Sequence, residues 1–244
     1  MEAIAKVSSI FIYPIKSCRA ISVSHATLTA TGFRWDRNWL VVNDKGRAYT
    51  QRVEPKLALV QVELPLEAFS DTWEPSSNSY MASETRPVDP DYARGHNVMF
   101  ADLFPYMLIS QGSLDALNKL LKEPVPINRF RPNILVNGCE PFSEDLWTEV
   151  RINNSMFQSV RLCSRCKIPT IDQDTAIQGS EPNKTLMEIR SDKVLRPNKK
   201  QQGKIYFGQN LVWKDDNSEG GNIVNVGDPV FILKQVPSAA DAVV

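Results

Sequence analysis

The fold class is indicated by the segment TEVRINNSMFQSVRLC, residues 148–163. Thr148–Ile152 and Phe157–Cys163 are rich in β-branched and aromatic residues, a composition typical of strands. Asn153 and Asn154 between them form a turn dipeptide. The segment therefore predicts two consecutive β-strands joined by a short turn.

Short strands are also predicted on both sides of this segment. They lie at Asn133–Val136, Lys204–Phe207, Leu211–Lys214 and Ile223–Lys234, and near the N-terminus at Val7–Ile15, Ile21–Leu28 and Leu59–Leu64, with a hairpin turning at Asn43–Gly46. One helix is predicted after Ser113, a candidate N-cap, because Leu114, Leu117, Leu120 and Leu121 follow at helical spacing. Many short strands with one clear helix predict a β-rich α+β fold built on a β-barrel.

Composition limits the class of protein. The 244 residues suit one large domain or two small ones, and 28 Lys plus Arg balance 28 Asp plus Glu. A net charge of zero argues against a general nucleic-acid binder, because phosphate affinity requires a cationic surplus. The sequence contains no apolar run long enough to span a membrane, and Met1–Lys6 does not resemble a secretory signal. Four cysteines are typical of reduced thiols. We therefore expect a soluble intracellular protein without a transmembrane segment, or a chain from which a targeting or anchoring segment has been removed.

Residues 65–96 differ from the rest of the chain. Proline, serine and acidic residues are frequent there, and apolar residues are sparse and without period, which is typical of a linker. A structureless loop of this length is unusual inside a compact domain. We therefore predict an incomplete N-terminal domain at residues 1–96, linker-like from 65 to 96, and a second domain at residues 97–244.

Cys163 and Cys166 form a C-x-x-C pair with three possible chemical roles. A structural zinc site would need a second such pair. A thioredoxin-type motif would open a helix, whereas Pro169 follows here. Arg165 and Lys167 flank Cys166 and would stabilise its thiolate as a soft metal ligand or nucleophile. The residues alone leave these roles open, together with that of an ordinary cysteine at a strand end.

Basic residues follow or precede several predicted strands. Lys16, Arg37, Arg129 and Arg131 are each ordinary surface residues when considered singly. Together they supply enough cations to surround an anionic ligand such as a phosphate.

Six motifs in order carry a resemblance to a known family. They are YPIKSC (13–18), GFRWDRNW (32–39), RFRPN (129–133), DLW (145–147), CSRC (163–166) and FGQ (207–209). Over residues 7–234 the chain resembles the MOSC superfamily, and more narrowly the plant-type mitochondrial amidoxime-reducing components. The resemblance implies a MOSC β-barrel domain plus a smaller MOSC N-terminal domain. The N-terminal domain is shortened here, since the family carries several tens of additional residues between Trp73–Pro75 and Ser83–Pro87.

The resemblance also implies a molybdenum cofactor, with the metal held by a pterin dithiolene and a protein thiolate. Cys166 matches the cysteine that binds molybdenum and is the implied catalytic residue, whereas Cys163 is implied to be structural. The remaining implied cofactor-binding residues are Lys16, Ser17, Arg37 and Arg131, with Asn133, Ser164, Arg165 and Asn210 nearby.

The implied activity is the reduction of N-hydroxylated compounds such as amidoximes and hydroxylamines. The implied electron donors are NADH, a flavin reductase and a b-type cytochrome, and the implied location is the mitochondrial outer membrane, although the sequence shows no targeting or anchor segment. An alternative is a cofactor-binding or sulfur-carrier module like the C-terminal domain of molybdenum cofactor sulfurases, whose pyridoxal-phosphate domain has no counterpart here. A third interpretation is a variant that folds but retains cofactor poorly because of the missing segment.

Overall fold

A computed structural model describes residues 2–69, 73, 85–214 and 222–243. The strands in these ranges are β1 (Ala5–Ile12), β2 (Ile21–Val23), β3 (His25–Thr29), β4 (Gly32–Phe33), β5 (Arg86–Pro87), β6 (Asn97–Val98), β7 (Tyr106–Ser110), β8 (Ile134–Asn137), β9 (Trp147–Ile152), β10 (Ser155–Ser164), β11 (Tyr206–Lys214), β12 (Ile223–Asn225) and β13 (Pro229–Gln235). The helices are α1 (Pro90–Ala93), α2 (Gln111–Asn118), α3 (Asn183–Arg190) and α4 (Asp192–Leu195). Within the described ranges, no helix has the length and apolar character needed to cross a membrane.

Seven strands form a closed barrel. Their order is β13-β9-β10-β11-β7-β8-β1, and β1 pairs back with β13 through Ala5 opposite Val230. All neighbours in the barrel are antiparallel except β7 and β8, which are parallel. Closure removes the exposed sheet edges that would otherwise invite aggregation. The predicted β-rich fold with a barrel is confirmed.

The segment at residues 148–163 forms the hairpin β9–β10. Ile152 lies opposite Ser155, so Asn153 and Asn154 make a two-residue turn. Asn153 has a φ of 50°, a left-handed conformation that asparagine tolerates better than most residues. Val150, Ile152 and Phe157 point into the main core and are almost fully buried. The alternation of apolar residues in the sequence therefore corresponds to the inside of the barrel.

The predicted helix exists but begins one turn earlier than expected. Ser110 is the N-cap of α2, and its side chain accepts a hydrogen bond from the Ser113 backbone N–H at 3.0 Å. The prediction of Ser113 as the cap is therefore wrong. Leu114 and Leu117 are buried against the barrel, but Leu120 lies beyond the end of the helix and is 57% exposed.

Other predicted strands differ in their limits. Residues 204–214, predicted as two strands, contain one continuous strand, β11, whereas residues 223–234 are divided into β12 and β13 at Gly227, whose φ is 97°. Leu59–Leu64 is not a strand; a short 3₁₀ helix at Pro55–Leu59 precedes it. The hairpin around Asn43–Gly46 is reduced to one bridge, between Val42 and Ala48.

The predicted linker at residues 65–96 is only partly described. Leu66–Phe69 forms a 3₁₀ helix at the start of this segment, and β5 and α1 lie near the C-terminal end of the segment. Val88 and Ala93 are buried in a small apolar cluster, so this end packs on the protein. Residues 70–72 and 74–84 lie outside the described residues. The division at residues 96 and 97 stays a prediction.

We expect Gly208→Ala to destabilise the barrel by about 2–4 kcal/mol. Gly208, within β11, has a φ of 87°, and an added Cβ would lie 2.7 Å from Cγ1 of Ile109 and 3.1 Å from the Leu108 carbonyl oxygen. Left-handed strain costs about 1–2 kcal/mol, and overpacking costs about 1–3 kcal/mol. Chemical denaturation measures the loss. Gly203→Ala is the control, since Gly203 has a φ of 68° but open space around it; an equal loss in both variants would contradict the packing argument.

Candidate functional site

A cavity of about 420 Å³ lies at one end of the barrel. The strand register places the end of β1 beside the beginnings of β7 and β8. The end of β10 reaches the same region, because Arg161 pairs with Asn210 and Asn210 pairs in turn with Met107 of β7. Its volume is within the range of small-molecule and cofactor sites.

All nine residues predicted for the site line this one cavity. They are Lys16, Ser17, Arg37, Arg131, Asn133, Ser164, Arg165, Cys166 and Asn210. Lys16 and Ser17 follow β1, Arg37 follows β4, and Arg131 and Asn133 precede β8. The structure thus brings together residues that are almost 200 positions apart in the sequence. Their role in cofactor binding stays a prediction.

Tyr13 organises the buried cationic side of the cavity. The guanidinium carbons of Arg37 and Arg131 lie 4.4 Å and 4.3 Å from the centre of its ring. The Tyr13 hydroxyl donates to the Pro132 carbonyl oxygen at 3.1 Å, and burial raises the pKa of Tyr13 to about 12. The ring is therefore neutral, and its negative faces hold two like charges in close proximity.

The two arginines differ in how their charge is compensated. Arg37 pairs with the buried carboxylate of Asp36 and also donates to Oδ1 of Asn133 at 3.3 Å. Within the described ranges, no acceptor receives a hydrogen bond from the Arg131 guanidinium, although Arg131 is only 8% exposed. Burial lowers the pKa of Arg131 to about 10, so it stays protonated at neutral pH. A buried cation without an anion is a site that attracts one.

Three residues around the cavity have left-handed backbone conformations. Ser17, Arg37 and Arg131 have φ values of 71°, 54° and 56°. Such conformations cost of order 1 kcal/mol or more for residues other than glycine and concentrate at functional sites. Ser17 is held by Gln51, whose amide donates to the Ser17 carbonyl oxygen at 2.8 Å and bonds reciprocally with Gln173 at 3.0 Å and 3.1 Å.

The two cysteines face different surroundings. Cys166 is exposed; the Ile168 backbone N–H lies 3.5 Å from its sulfur. Cys163 is buried, and Nη1 of Arg165 lies 3.0 Å from its sulfur. Both residues line the cavity, but Cys166 is exposed whereas Cys163 is buried. Cys166 is therefore the better placed of the two to bind a soft metal.

Asn210, which lines the cavity, has a hydrogen-bond donor that is not used within the described residues. Its Nδ2 is buried and has no partner within the described part of the chain. Buried amide nitrogens are almost always bonded, so this donor fits a ligand with an acceptor at that point. Asn133, in contrast, is already engaged, since its Nδ2 donates to the Phe11 carbonyl oxygen at 3.2 Å and its Oδ1 accepts from Arg37.

The sequence analysis missed two charged residues of the cavity, Arg52 and Asp102. Asp102 pairs with Lys16 and lies 3.6 Å from Nη1 of Arg52. Burial opposes ionisation of Asp102, but the hydrogen bond and charge of Lys16, together with the charges of Arg52 and Arg37, outweigh it and lower the carboxyl pKa. Burial lowers the pKa of Lys16, while Asp102 opposes that change. Neither residue lies in one of the six motifs; Arg52 closely follows the predicted hairpin, where a search for charged residues at strand ends would have found it.

Comparison with known proteins assigns the two parts of the chain. Residues 4–86 match the MOSC N-terminal beta barrel domain, and residues 95–231 match the MOSC domain. The chain is 28% identical to mitochondrial amidoxime-reducing component 1 of Mus musculus, with 96% of this chain and 84% of that protein covered. It is 30% identical to mitochondrial amidoxime reducing component 2 of Bos taurus, covering 96% and 85%.

A more distant relative is much longer than this chain and matches it over only part of its own length. The chain is 25% identical to the molybdenum cofactor sulfurase of Danio rerio over 92% of its own length but only 34% of that protein. The span aligned with the mouse protein is 300 residues, which exceeds the 244 residues of this chain. The mouse protein therefore carries tens of residues that have no counterpart here.

Proposed function

Because this chain belongs to the MOSC domain family and is related over nearly its whole length to mitochondrial amidoxime-reducing components, we propose that it is a molybdenum-cofactor-dependent oxidoreductase. Its substrates are small N-hydroxylated compounds such as amidoximes and hydroxylamines. One observation carries the proposal. The same cavity is lined by Arg131, a buried cation without an anionic partner among the described residues, and by Cys166, an exposed thiol.

The residues present fit a phosphorylated pterin that carries a metal. The Arg131 guanidinium has a planar set of donors suited to a phosphate, and Arg37 and Lys16 add positive charge beside it. The free Nδ2 of Asn210 suits a carbonyl or ring nitrogen of a pterin. Cys166 supplies the soft thiolate that a metal already bound by sulfur prefers.

A bound molybdenum cofactor would supply the two-electron reduction that, with two protons, converts an N–OH group to N–H and water. The chain provides binding and orientation. Arg131 and Asn210 would hold the cofactor, Cys166 would bind its metal, and Phe100 and Phe104, which also line the cavity, would exclude water from the reacting group.

We propose that electrons come from NADH through a flavin reductase and a b-type cytochrome. The relatives are named as mitochondrial proteins, and we extend that location, at the outer membrane, to this chain.

The proposal is tested by measuring molybdenum and activity on the same preparation. We expect close to one molybdenum per cofactor-loaded chain and reduction of an aryl amidoxime to the amidine with a reconstituted electron chain. The same product should form with a small chemical reductant, which removes dependence on the protein partners. Full molybdenum loading without amidine under both conditions would refute the reductase function.

The second candidate function is a cofactor-binding or sulfur-carrier module without turnover, favoured by the similarity to the zebrafish sulfurase. It predicts full loading and no reduction in the experiment above. A folded chain that never retains molybdenum would instead indicate that the shortened N-terminal region weakens the site.

A further inference from the structure

Arg52 and Asp102 form a pair of opposite charges at the entrance of the cavity. We propose that this pair recognises the substrate head group: the Asp102 carboxylate accepts an N–H of the substrate, and the Arg52 guanidinium donates to the oxygen of its N–OH group. The inference rests on the proposed function and adds the substrate class that the site prefers.

The pair is more exposed than the arginine that is proposed to bind the cofactor. The side chains of Arg52 and Asp102 are 40% and 50% exposed, whereas that of Arg37 is 15% exposed. Nη1 of Arg52 also lies 3.9 Å from the sulfur of Cys166. The pair is therefore both open to an entering molecule and adjacent to the residue that would bind the metal.

Both side chains retain free hydrogen-bonding capacity. The Arg52 guanidinium carries five N–H donors, and its nearest described polar partners are the Asp102 oxygen at 3.6 Å and the Cys166 sulfur at 3.9 Å. These separations exceed the usual length of a charged hydrogen bond. Asp102 bonds Lys16 through Oδ1 and leaves Oδ2 with only the longer contact to Arg52. Each member can therefore accept a substrate without giving up a short bond.

Apolar residues surround the pair and suit the body of the substrate. Phe100, Leu103 and Phe104 flank Asp102 in sequence and line the same cavity. Leu103 is 40% exposed, so an apolar surface is available at the entrance. A molecule with a polar N-hydroxylated head and an aryl or alkyl body matches this arrangement.

The arrangement of one acceptor beside one donor selects among N-hydroxylated compounds. Amidoximes and N-hydroxyguanidines carry an N–H donor next to the N–OH group, and their reduced products are cations that pair with a carboxylate through two parallel hydrogen bonds. N,N-Dialkylhydroxylamines have no such N–H group. The pair is therefore expected to favour the first two classes.

The test is Asp102→Asn, assayed in the cofactor-loaded protein with an aryl amidoxime and an N,N-dialkylhydroxylamine. We expect kcat/KM for the amidoxime to fall about 10- to 100-fold, with less than a threefold change for the hydroxylamine. Calorimetry provides a readout independent of turnover: the affinity for benzamidine, the cationic product type, should fall about 10-fold or more. Arg52→Gln should lower kcat/KM for both substrates, because both carry the N–OH oxygen.

Controls separate this inference from the proposed function. Asp102→Glu should restore part of the benzamidine affinity, and Asp91→Asn, an exposed carboxylate outside the cavity lining, should change nothing. Failure of the wild-type protein to reduce either compound would refute the reductase function itself. An Asp102→Asn variant with unchanged selectivity and unchanged benzamidine affinity overturns the inference. If that variant loses molybdenum because Lys16 is released, the benzamidine affinity alone decides the question.

Discussion

Cys166→Ala is expected to abolish amidoxime reduction and the thiolate ligation of molybdenum. Cys166 presents its sulfur to the cavity without a strong internal partner, and alanine offers no metal ligand. Changes to groups that hydrogen-bond the ligands of a metal already cost about 10- to 100-fold in affinity or activity, and loss of a direct ligand should exceed that range. X-ray absorption at the molybdenum edge measures the sulfur count, and steady-state kinetics measures the activity.

Cys163→Ala is the matched control, since it alters the other cysteine of the same C-x-x-C motif. Cys163 is buried and contacts Arg165, so its loss should reduce stability while leaving the sulfur count at the metal unchanged. Activity that survives in Cys166→Ala but disappears in Cys163→Ala would reverse the assignment of the ligand.

Arg131→Gln is expected to lower cofactor affinity by about 100-fold or more. A bidentate arginine–phosphate pair contributes two charge-assisted hydrogen bonds of about 1.5–3 kcal/mol each, and each 1.4 kcal/mol corresponds to a factor of ten. The variant should also be no less stable than the wild type without cofactor, because burial disfavours the Arg131 charge by more than its contact with the Tyr13 ring favours it, as the lowered pKa of Arg131 shows. Molybdenum retained after dialysis and thermal unfolding are the two measurements.

Arg129→Gln provides the comparison within the same motif. Arg129 is almost as buried as Arg131 but pairs with Asp172 at 3.4 Å and does not line the cavity. We therefore expect normal molybdenum retention with some loss of stability. If both variants lost molybdenum to the same extent, positive charge near the cavity would act without a specific contact between Arg131 and the cofactor.

Strand composition was a good guide to the barrel because its inside and outside alternate along each strand. The hairpin at residues 148–163 is the clearest example, since Val150, Ile152 and Phe157 all point inward. Elements that depend on local hydrogen bonds were predicted less well. The predicted cap of α2 was Ser113, but the observed cap is Ser110. The Ser113 hydroxyl instead donates to Oε1 of buried Glu144 at 2.6 Å.

The site residues were accessible to sequence analysis where a motif surrounds them. Lys16, Arg37, Arg131 and Cys166 each lie in such a motif, and the structure places all four on one cavity. Arg52 and Asp102 were not predicted as site residues, because isolated charged residues are common on protein surfaces. Their proximity depends on the distance between two loops 50 positions apart, which no local pattern encodes.

The closing contact of the barrel has a consequence for the order of folding. β1 pairs with β13, since Ala5 lies opposite Val230, so the ring cannot be completed until β13 has been synthesised. Pairings of such long sequence separation form slowly, because the entropy of closing the loop is lost before the contact is gained. Lys16 and Ser17 directly follow β1, and their wall of the cavity takes its final position only then. Insertion of a ligand into the completed cavity is therefore a late event that follows the pairing of β13 with β1.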